Sequence, residues 1–133
     1  MRRERLALLT LVLALAAACA SAPAKAVRSE FEDIPVPKGL AYQPDRSTII
    51  ESPTVKAARL VYRGRLEVVS LGTAMRSTLE ANGWRLVSTT TTGPQGTTQV
   101  YEKAGSSLEM RLWEGWWYTY VELTASRATQ PAK

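Results

Sequence analysis

The chain has 133 residues, which is enough for one small domain. Lysine and arginine total 17 against 12 acidic residues, a net charge of +5, but no run of five basic residues indicates a nucleic-acid site. Histidine is absent and there is one cysteine, so the sequence excludes a histidine general base, an intramolecular disulfide and a thiolate zinc site. We therefore expect neither a metal nor a cofactor, and no nucleic-acid partner.

The first 18 residues have the pattern of a signal peptide. Arg2, Arg3 and Arg5 form a basic start, and residues 6–18 are an apolar run of 13 residues. A helix needs about 20 residues to cross a bilayer, so this run is too short for a stable transmembrane helix. Its length is that of the apolar region of a signal peptide.

Three small residues, Ala16, Ala17 and Ala18, lead directly to Cys19, and this segment resembles the lipobox of bacterial lipoproteins. The resemblance implies transfer of diacylglycerol to the Cys19 thiol, cleavage before Cys19 and acylation of the new amino terminus. The family favours leucine at the position of Ala16. Two alternatives remain open: a secretory signal cleaved at an Ala-x-Ala site near Ala20, and an uncleaved anchor in which Cys19 is incidental.

The lipobox resemblance also implies a location. Two or more acyl chains hold a protein on a bilayer essentially permanently, so the expected first partner is a lipid bilayer. Alanine rather than aspartate follows the cysteine, which by resemblance to Gram-negative lipoproteins implies the periplasmic face of the outer membrane. Residues 19–33 are predicted to be the lipidated cysteine and a flexible tether with a reach of about 20 Å. Residues 125–133 are predicted to be a disordered tail.

The folded domain is predicted to span residues 34–124. Pro35 and Pro37 restrict the first stretch, "IPVPKGLAY", to an edge strand or a strap. The stretches "STIIES" and "AARLVYRG" predict strands, with a bend at Gly64 and "RLEVV" as a continuation.

One helix is predicted over "SLGTAMRSTLEANG", with Ser70 as its amino-terminal cap and Asn82-Gly83 as its stop. Arg76 and Glu80 lie four residues apart and predict a surface ion pair. The apolar stripe of the helix consists of Leu71, Ala74, Met75, Thr78 and Leu79.

The rest of the chain predicts an antiparallel meander. The strands "WRLVSTTTT", "TTQVYEK", "SLEMRLW" and "WWYTYVELT" are separated by the turns "GPQG", "AGS" and "EG". The expected fold class is α+β, an antiparallel sheet of four to five strands with one helix packed on one face, in the order β-α-β-β-β-β.

A second resemblance concerns the domain. Small bacterial outer-membrane lipoprotein domains share a strand that ends in Tyr-x-Gly, an amphipathic helix, and Gly-Trp at the start of a β-meander. In this chain the matching residues are Tyr62, Gly64, Gly83 and Trp84, and the resemblance covers residues 34–124. It implies a helix-on-sheet fold, and it transfers no function.

Aromatic residues are concentrated near the carboxyl end. Three of the four tryptophans and two of the five tyrosines fall in residues 113–120. They predict either a partner-binding face for an envelope protein or a glycan, or ordinary core residues of a small domain. A third interpretation has Trp116 and Trp117 entering the bilayer interface. The candidate partner-binding residues are Arg85, Arg111, Trp113, Trp116, Trp117, Tyr118 and Tyr120.

Alternation assigns the remaining strand residues to two faces. Six residues are predicted to face the helix: Leu86, Leu108, Met110, Leu112, Val121 and Leu123. Arg85, Arg111, Trp113 and some of Tyr101, Tyr118 and Tyr120 are predicted to lie on the other face.

No catalytic set is identified, so the first hypothesis is a non-enzymatic binding or assembly module. A small hydrolase that acts on glycans or peptidoglycan is the alternative, with Glu102 or Glu109 as its carboxylate. Lys103 and Arg111 lie beside these carboxylates and favour a solvated charge ladder instead. A structural spacer without a ligand, and a periplasmic secreted protein without a lipid anchor, also remain possible interpretations.

Overall fold

A computed structural model describes residue 31 and residues 34–128 of the chain. This part forms a seven-stranded antiparallel sheet with one α-helix packed on one face. The predicted α+β class is confirmed, but the sheet has seven strands rather than four or five. Within the described residues, no helix is both long enough and apolar enough to cross a membrane.

The sheet is a meander extended by two short strands at one edge. Its order is β1-β3-β7-β6-β5-β4, and β2 pairs with the other half of the same edge of β3. The strands are β1 (Ala41–Tyr42), β2 (Thr48–Glu51), β3 (Val55–Gly64), β4 (Arg85–Thr91), β5 (Thr97–Lys103), β6 (Ser106–Glu114) and β7 (Thr119–Ala128); the helix, α1, spans Val68–Ala81, and short 3-10 turns occupy Pro44–Arg46 and Gly93–Gln95.

The two added strands explain the difference from the expected order. β1 has two residues and β2 has four, and neither could form a sheet on its own. The proline-containing stretch contributes only its end, since β1 begins at Ala41 after the prolines. The predicted strand "STIIES" is confirmed as β2.

The folded part extends beyond residues 34–124 at both ends. Phe31, placed in the predicted tether, is buried with Ile34 in the core, and the Arg127 guanidinium lies 5.2 Å from the centre of its ring. β7 continues to Ala128, into the predicted tail. The signal peptide, Cys19 and the rest of the tether and tail lie outside the described residues.

The helix begins three residues earlier than predicted. The side chain of Glu67 accepts hydrogen bonds from the amides of Val69 (2.8 Å) and Ser70 (2.7 Å), so Glu67 and not Ser70 is the cap. Hydrogen bonds from the Ser70 side chain and from these amides lower the pKa of Glu67. Because α1 starts at Val68, the predicted continuation of the strand through "RLEVV" is wrong, and β3 ends at Gly64.

The end of the helix follows the expectation. Gly83 has a positive φ of 86°, and its amide donates to the Glu80 carbonyl at 3.1 Å. The Trp84 amide donates to the Leu79 carbonyl at 3.0 Å, which completes the two-bond Schellman arrangement. This turn directs the Trp84 side chain into the core, where it is buried.

The core lies between α1 and one face of the sheet. Leu71, Met75 and Leu79 of the helix are buried there, whereas Ala74 is exposed and Thr78 is half-buried, so the stripe is narrower than predicted. All six strand residues predicted to face the helix lie on this side: Leu86, Leu108, Met110, Leu112, Val121 and Leu123.

Tyr101 also lies on the helix side, which removes it from the predicted open-face group. Its hydroxyl donates to Oε1 of Gln99 at 2.6 Å, and both side chains are buried. Burial raises the pKa of Tyr101 to about 12. One face of the sheet is therefore filled by the core, and the opposite face has no α-helix over it in the described part of the chain.

Candidate functional site

A stacked pair of aromatic rings occupies the open face of the sheet. Trp113 of β6 lies directly opposite Tyr120 of β7 in the strand register. The ring centres are 5.3 Å apart and the planes are inclined by only 10°, so the rings are stacked. Neighbouring strands hold both side chains on the same face, because directly opposite residues of an antiparallel pair point the same way.

An arginine lies over each ring of this pair. The guanidinium of Arg111, two residues before Trp113 on β6, is 5.4 Å from the indole centre. The guanidinium of Arg46 is 5.2 Å from the centre of Tyr120, and it comes from the 3-10 turn that connects β1 and β2. Both distances fall within the range of a cation-π interaction.

Two further arginines lie over the neighbouring Tyr118. The guanidinium of Arg63 is 4.7 Å from the centre of that ring, and that of Arg65 is 5.6 Å away. Arg63 is the register partner of Tyr120, so the two groups adjoin each other. We call the combined patch the arginine-aromatic surface; it consists of Arg46, Arg63, Arg65, Arg111, Trp113, Tyr118 and Tyr120.

The turn between β6 and β7 places two indoles in solvent at the end of this surface. Trp116 is 97 % exposed and Trp117 is 74 % exposed. The Gly115 amide donates to the Tyr118 carbonyl at 2.7 Å and closes the turn. The turn residues, with Arg65 and Leu66, line a shallow cavity of about 220 Å³.

The charge of the arginine-aromatic surface is not neutralised by its neighbours. Arg46, Arg63, Arg65 and Arg111 are all exposed, and none forms an ion pair with another described residue. Glu122 lies opposite Arg111 in the register, but its carboxylate is bound to Arg59 at 2.6 Å. The surface is therefore cationic as well as aromatic.

Four of the predicted site residues come together here: Arg111, Trp113, Tyr118 and Tyr120. Trp116 and Trp117 lie in the adjoining turn. Arg85 does not join them, because it pairs with Glu102 at 2.7 Å near the other end of the sheet. Glu102 is paired with Ser107 of β6, and Ser107 lies six residues before Trp113 on that strand. The Arg85–Glu102 pair is therefore about 20 Å from Trp113.

Three arginines of the surface were not predicted. Arg63 and Arg65 surround the glycine of "YRGR", and their proximity to Tyr118 depends on the pairing of β3 with β7. That long-range pairing is the only feature that could have identified them. Arg46 lies in a turn whose position over Tyr120 no local pattern indicates.

The alternative carboxylates have different surroundings. Glu102 is exposed and bound to Arg85, and Glu109 is exposed on β6. Neither side chain is enclosed by apolar residues as the general acid of a glycosidase is. In the described part of the chain, no group of three or more acidic or cysteine residues is arranged to hold a metal ion.

A cavity of about 690 Å³ forms a groove between α1 and the β4-β5-β6 part of the sheet. Its two charged residues, Arg76 and Glu80, form the predicted ion pair at 3.0 Å and neutralise each other. The arginine-aromatic surface, on the opposite face, therefore has the stronger requirement for a charged partner.

No protein-family model, no curated protein and no solved structure matches this chain. The inference of function therefore rests on the chemistry of the residues described above.

Proposed function

We propose that the protein is a lipid-anchored protein of the cell envelope and that its domain binds another envelope component without catalysing a reaction. The arginine-aromatic surface is the observation that carries this proposal. It combines a stacked Trp113–Tyr120 pair with four exposed guanidinium groups, and two indoles of the adjoining turn lie in solvent beside it. Tryptophan, tyrosine and arginine are the residues most enriched at the energetic centres of protein interfaces.

Folding alone gives no reason for the two exposed indoles of the turn. Apolar surface stabilises a domain when it is removed from water, and the side chains of Trp116 and Trp117 remain in water. The core on the other side of the sheet is already filled by α1. A contiguous apolar patch surrounded by polar groups is the usual mark of an interaction site.

The anchoring part of the proposal is supported by the sequence of the amino-terminal segment. A basic start, a 13-residue apolar run and three alanines precede Cys19, as in a lipoprotein signal peptide. With the thiol acylated, the domain would be held at the periplasmic face of the outer membrane. A partner on the same membrane surface would then be present at a high effective concentration near the domain.

Replacing Cys19 by serine is expected to abolish lipid attachment, because the hydroxyl cannot take the place of the acylated thiol. Wild type and Cys19→Ser are labelled with radioactive palmitate in the native host, and the membranes are then fractionated. The label and the membrane retention should both disappear in the variant. A wild-type chain that takes no label and fractionates with soluble proteins would disprove the anchor.

Replacing Trp113 by alanine is expected to weaken partner binding by a factor of ten or more while the domain stays folded. The substitution removes one ring of the stacked pair and the support of Arg111. A central aromatic residue of an interface contributes about 2 kcal/mol or more. Tyr118→Ala should act in the same direction.

The measurement is the size of the assembly that remains after a mild detergent dissolves the bilayers. The chain is followed by immunoblot in the insoluble residue and across a gel-filtration column. Ile50→Ala is the matched control, since Ile50 is an exposed apolar residue of β2 outside the surface. If wild type elutes as a free monomer, the binding proposal is wrong; if Trp113→Ala and Tyr118→Ala unfold the domain, these residues belong to the core.

A further inference from the structure

The chain enters the domain at the end of the sheet opposite the arginine-aromatic surface. The ring of Phe31 lies beside the guanidinium of Arg127, near the end of β7. Thr119, at the start of β7, adjoins Tyr118 and the exposed indoles. Eight residue steps separate Thr119 from Arg127, which is about 27 Å along an antiparallel strand.

The path of the chain after Phe31 agrees with this placement. Ile34 is buried in the core. Gly39 lies at the opposite end of the sheet, where its carbonyl oxygen approaches Gly64 and the Leu66 side chain lies beside it. Gly64 is the register partner of Thr119. The segment thus runs the length of the domain from the entry end to the end that carries the aromatic turn.

The predicted tether is short in comparison with this length. Twelve residue steps separate Cys19 from Phe31, and a flexible chain of that length has an r.m.s. reach of about 19 Å. A domain attached in this way has its entry end nearest to the anchoring bilayer. The Trp116–Trp117 turn then lies on the side that faces away from the bilayer.

The arginines determine the charge of the partner. A guanidinium that lies over an aromatic ring uses its flat face for the cation-π contact, and its N–H donors project from the edge. Arg63, Arg65 and Arg111 form no ion pair among the described residues. Their N–H donors can therefore form two parallel hydrogen bonds to a partner. The group that fits such a fork is a carboxylate or a phosphate.

The rings determine the shape of the partner. A row of three side chains runs across neighbouring strands: Arg63 on β3, Tyr120 on β7 and Trp113 on β6. The strands are about 4.8 Å apart, so a guanidinium group and two aromatic rings lie side by side at that spacing. Trp116 and Trp117 lie in the turn just beyond this row, and their flat apolar faces are in solvent. An extended polymer that carries both ring-shaped units and anionic groups complements this strip better than a bilayer does.

We propose that the arginine-aromatic surface binds a carboxylate-bearing glycan strand on the side of the domain that faces away from the anchoring bilayer. This inference rests on the proposed function and names the chemistry of the partner. The sugar rings lie against Trp113, Trp116 and Trp117, and the carboxylates accept hydrogen bonds from Arg63, Arg65 and Arg111.

The first arm of the test is sedimentation of the purified full-length chain, in detergent, with isolated peptidoglycan sacculi. Sacculi contain sugar rings and peptide carboxylates, and their carboxylates can be amidated with a carbodiimide and methylamine. Wild type should sediment with native sacculi and bind amidated sacculi at least roughly tenfold more weakly. The double variant Arg63→Gln/Arg65→Gln should show a loss of similar size on native sacculi.

Arg85→Gln is the matched control. It removes one positive charge, as Arg63→Gln alone does, from an exposed arginine on the same face, about 20 Å from the surface. Its sedimentation should equal that of wild type. Equal losses in Arg85→Gln and in the single variant Arg63→Gln would reduce the effect to net charge and overturn the proposal.

The second arm tests the bilayer. The full-length chain is reconstituted in vesicles of phosphatidylcholine and phosphatidylglycerol with brominated acyl chains, which quench tryptophan fluorescence on contact. The emission of Trp116 and Trp117, isolated by comparison with Trp116→Phe/Trp117→Phe, should be unchanged by bromination. Strong quenching would place the turn in the anchoring bilayer and overturn the proposal.

The two proposals fail in different ways. If wild type forms a large assembly in detergent-treated envelopes but does not sediment with native sacculi, the glycan inference is wrong and the binding function stands. If wild type is a free monomer in those envelopes and does not sediment with sacculi, both are wrong.

Discussion

Replacing Gly96 by alanine is expected to destabilise the domain by about 3 kcal/mol or more, and thermal unfolding should show a fall in the midpoint of at least about 12 °C. Gly96 has a φ of 88° and a ψ of −161°, a backbone conformation that is essentially restricted to glycine. The strain of placing alanine there costs about 1–3 kcal/mol.

A steric conflict adds to that strain. A Cβ atom on Gly96 would overlap the backbone carbonyl oxygen of Leu112 and would lie 3.0 Å from Cβ of Trp113. The backbone of β6 cannot move away without disturbing its pairing with β5, where Leu112 faces Thr97. Overpacking of this kind costs about 1–3 kcal/mol. Because Trp113 is displaced as well, partner binding should weaken in the same variant.

Gly105→Ala separates the two effects. Gly105 also has a positive φ, 76°, but a Cβ atom there would meet no atom within 4 Å. Its substitution should therefore cost only the backbone strain, about 1 kcal/mol. Equal destabilisation of Gly96→Ala and Gly105→Ala would contradict the close approach of Gly96 to Leu112.

Patterns that depend on neighbouring residues predicted much of the fold. The 3.6-residue spacing identified Leu71, Met75 and Leu79, and Asn82-Gly83 identified the end of α1. The predicted start of α1 was wrong because "EVVS" offers two residues that could cap the helix, Glu67 and Ser70. The carboxylate of Glu67 accepts the amides of Val69 and Ser70, so the cap lies three residues before the predicted one.

Features that depend on contacts between distant residues could not be predicted in this way. Strict alternation would place Ser88 on the same face as Leu86, but a register shift between the two residues places Ser88 on the opposite face. The sequence pattern carries no sign of this bulge. The same limit applies to the candidate site. Tryptophan and tyrosine enrichment identified Trp113 and Tyr120, whereas Arg46 joins them only through the folding of a turn.

The two faces of the sheet have separate roles in this fold. Residues that alternate along β6 illustrate the separation: Leu112 packs in the core, and Arg111 and Trp113 lie on the open face. Because α1 covers only one face, changes to the open face should leave the core intact. Binding and stability can therefore be altered independently at most positions. Gly96 is an exception, because a side chain there would strike both the backbone of Leu112 and Cβ of Trp113.

Replacing Leu79 by alanine is the converse change, and it is expected to destabilise the domain by about 3 kcal/mol while leaving the chemistry of the open face unaltered. Leu79 has no exposed surface and packs in the cluster between α1 and the sheet. Its carbonyl accepts the amide of Trp84, so loosening of this helix turn also loosens the buried indole.

Val69→Ala is the matched control on the same helix. Val69 is 71 % exposed, and alanine has the higher helix propensity, so its substitution should be neutral or slightly stabilising. Both variants are compared with wild type by thermal and urea unfolding. In conditions where Leu79→Ala remains folded, its binding should match that of wild type, since no residue of the arginine-aromatic surface belongs to the core cluster between α1 and the sheet. Similar stability of Leu79→Ala and Val69→Ala would mean that α1 does not seal the core.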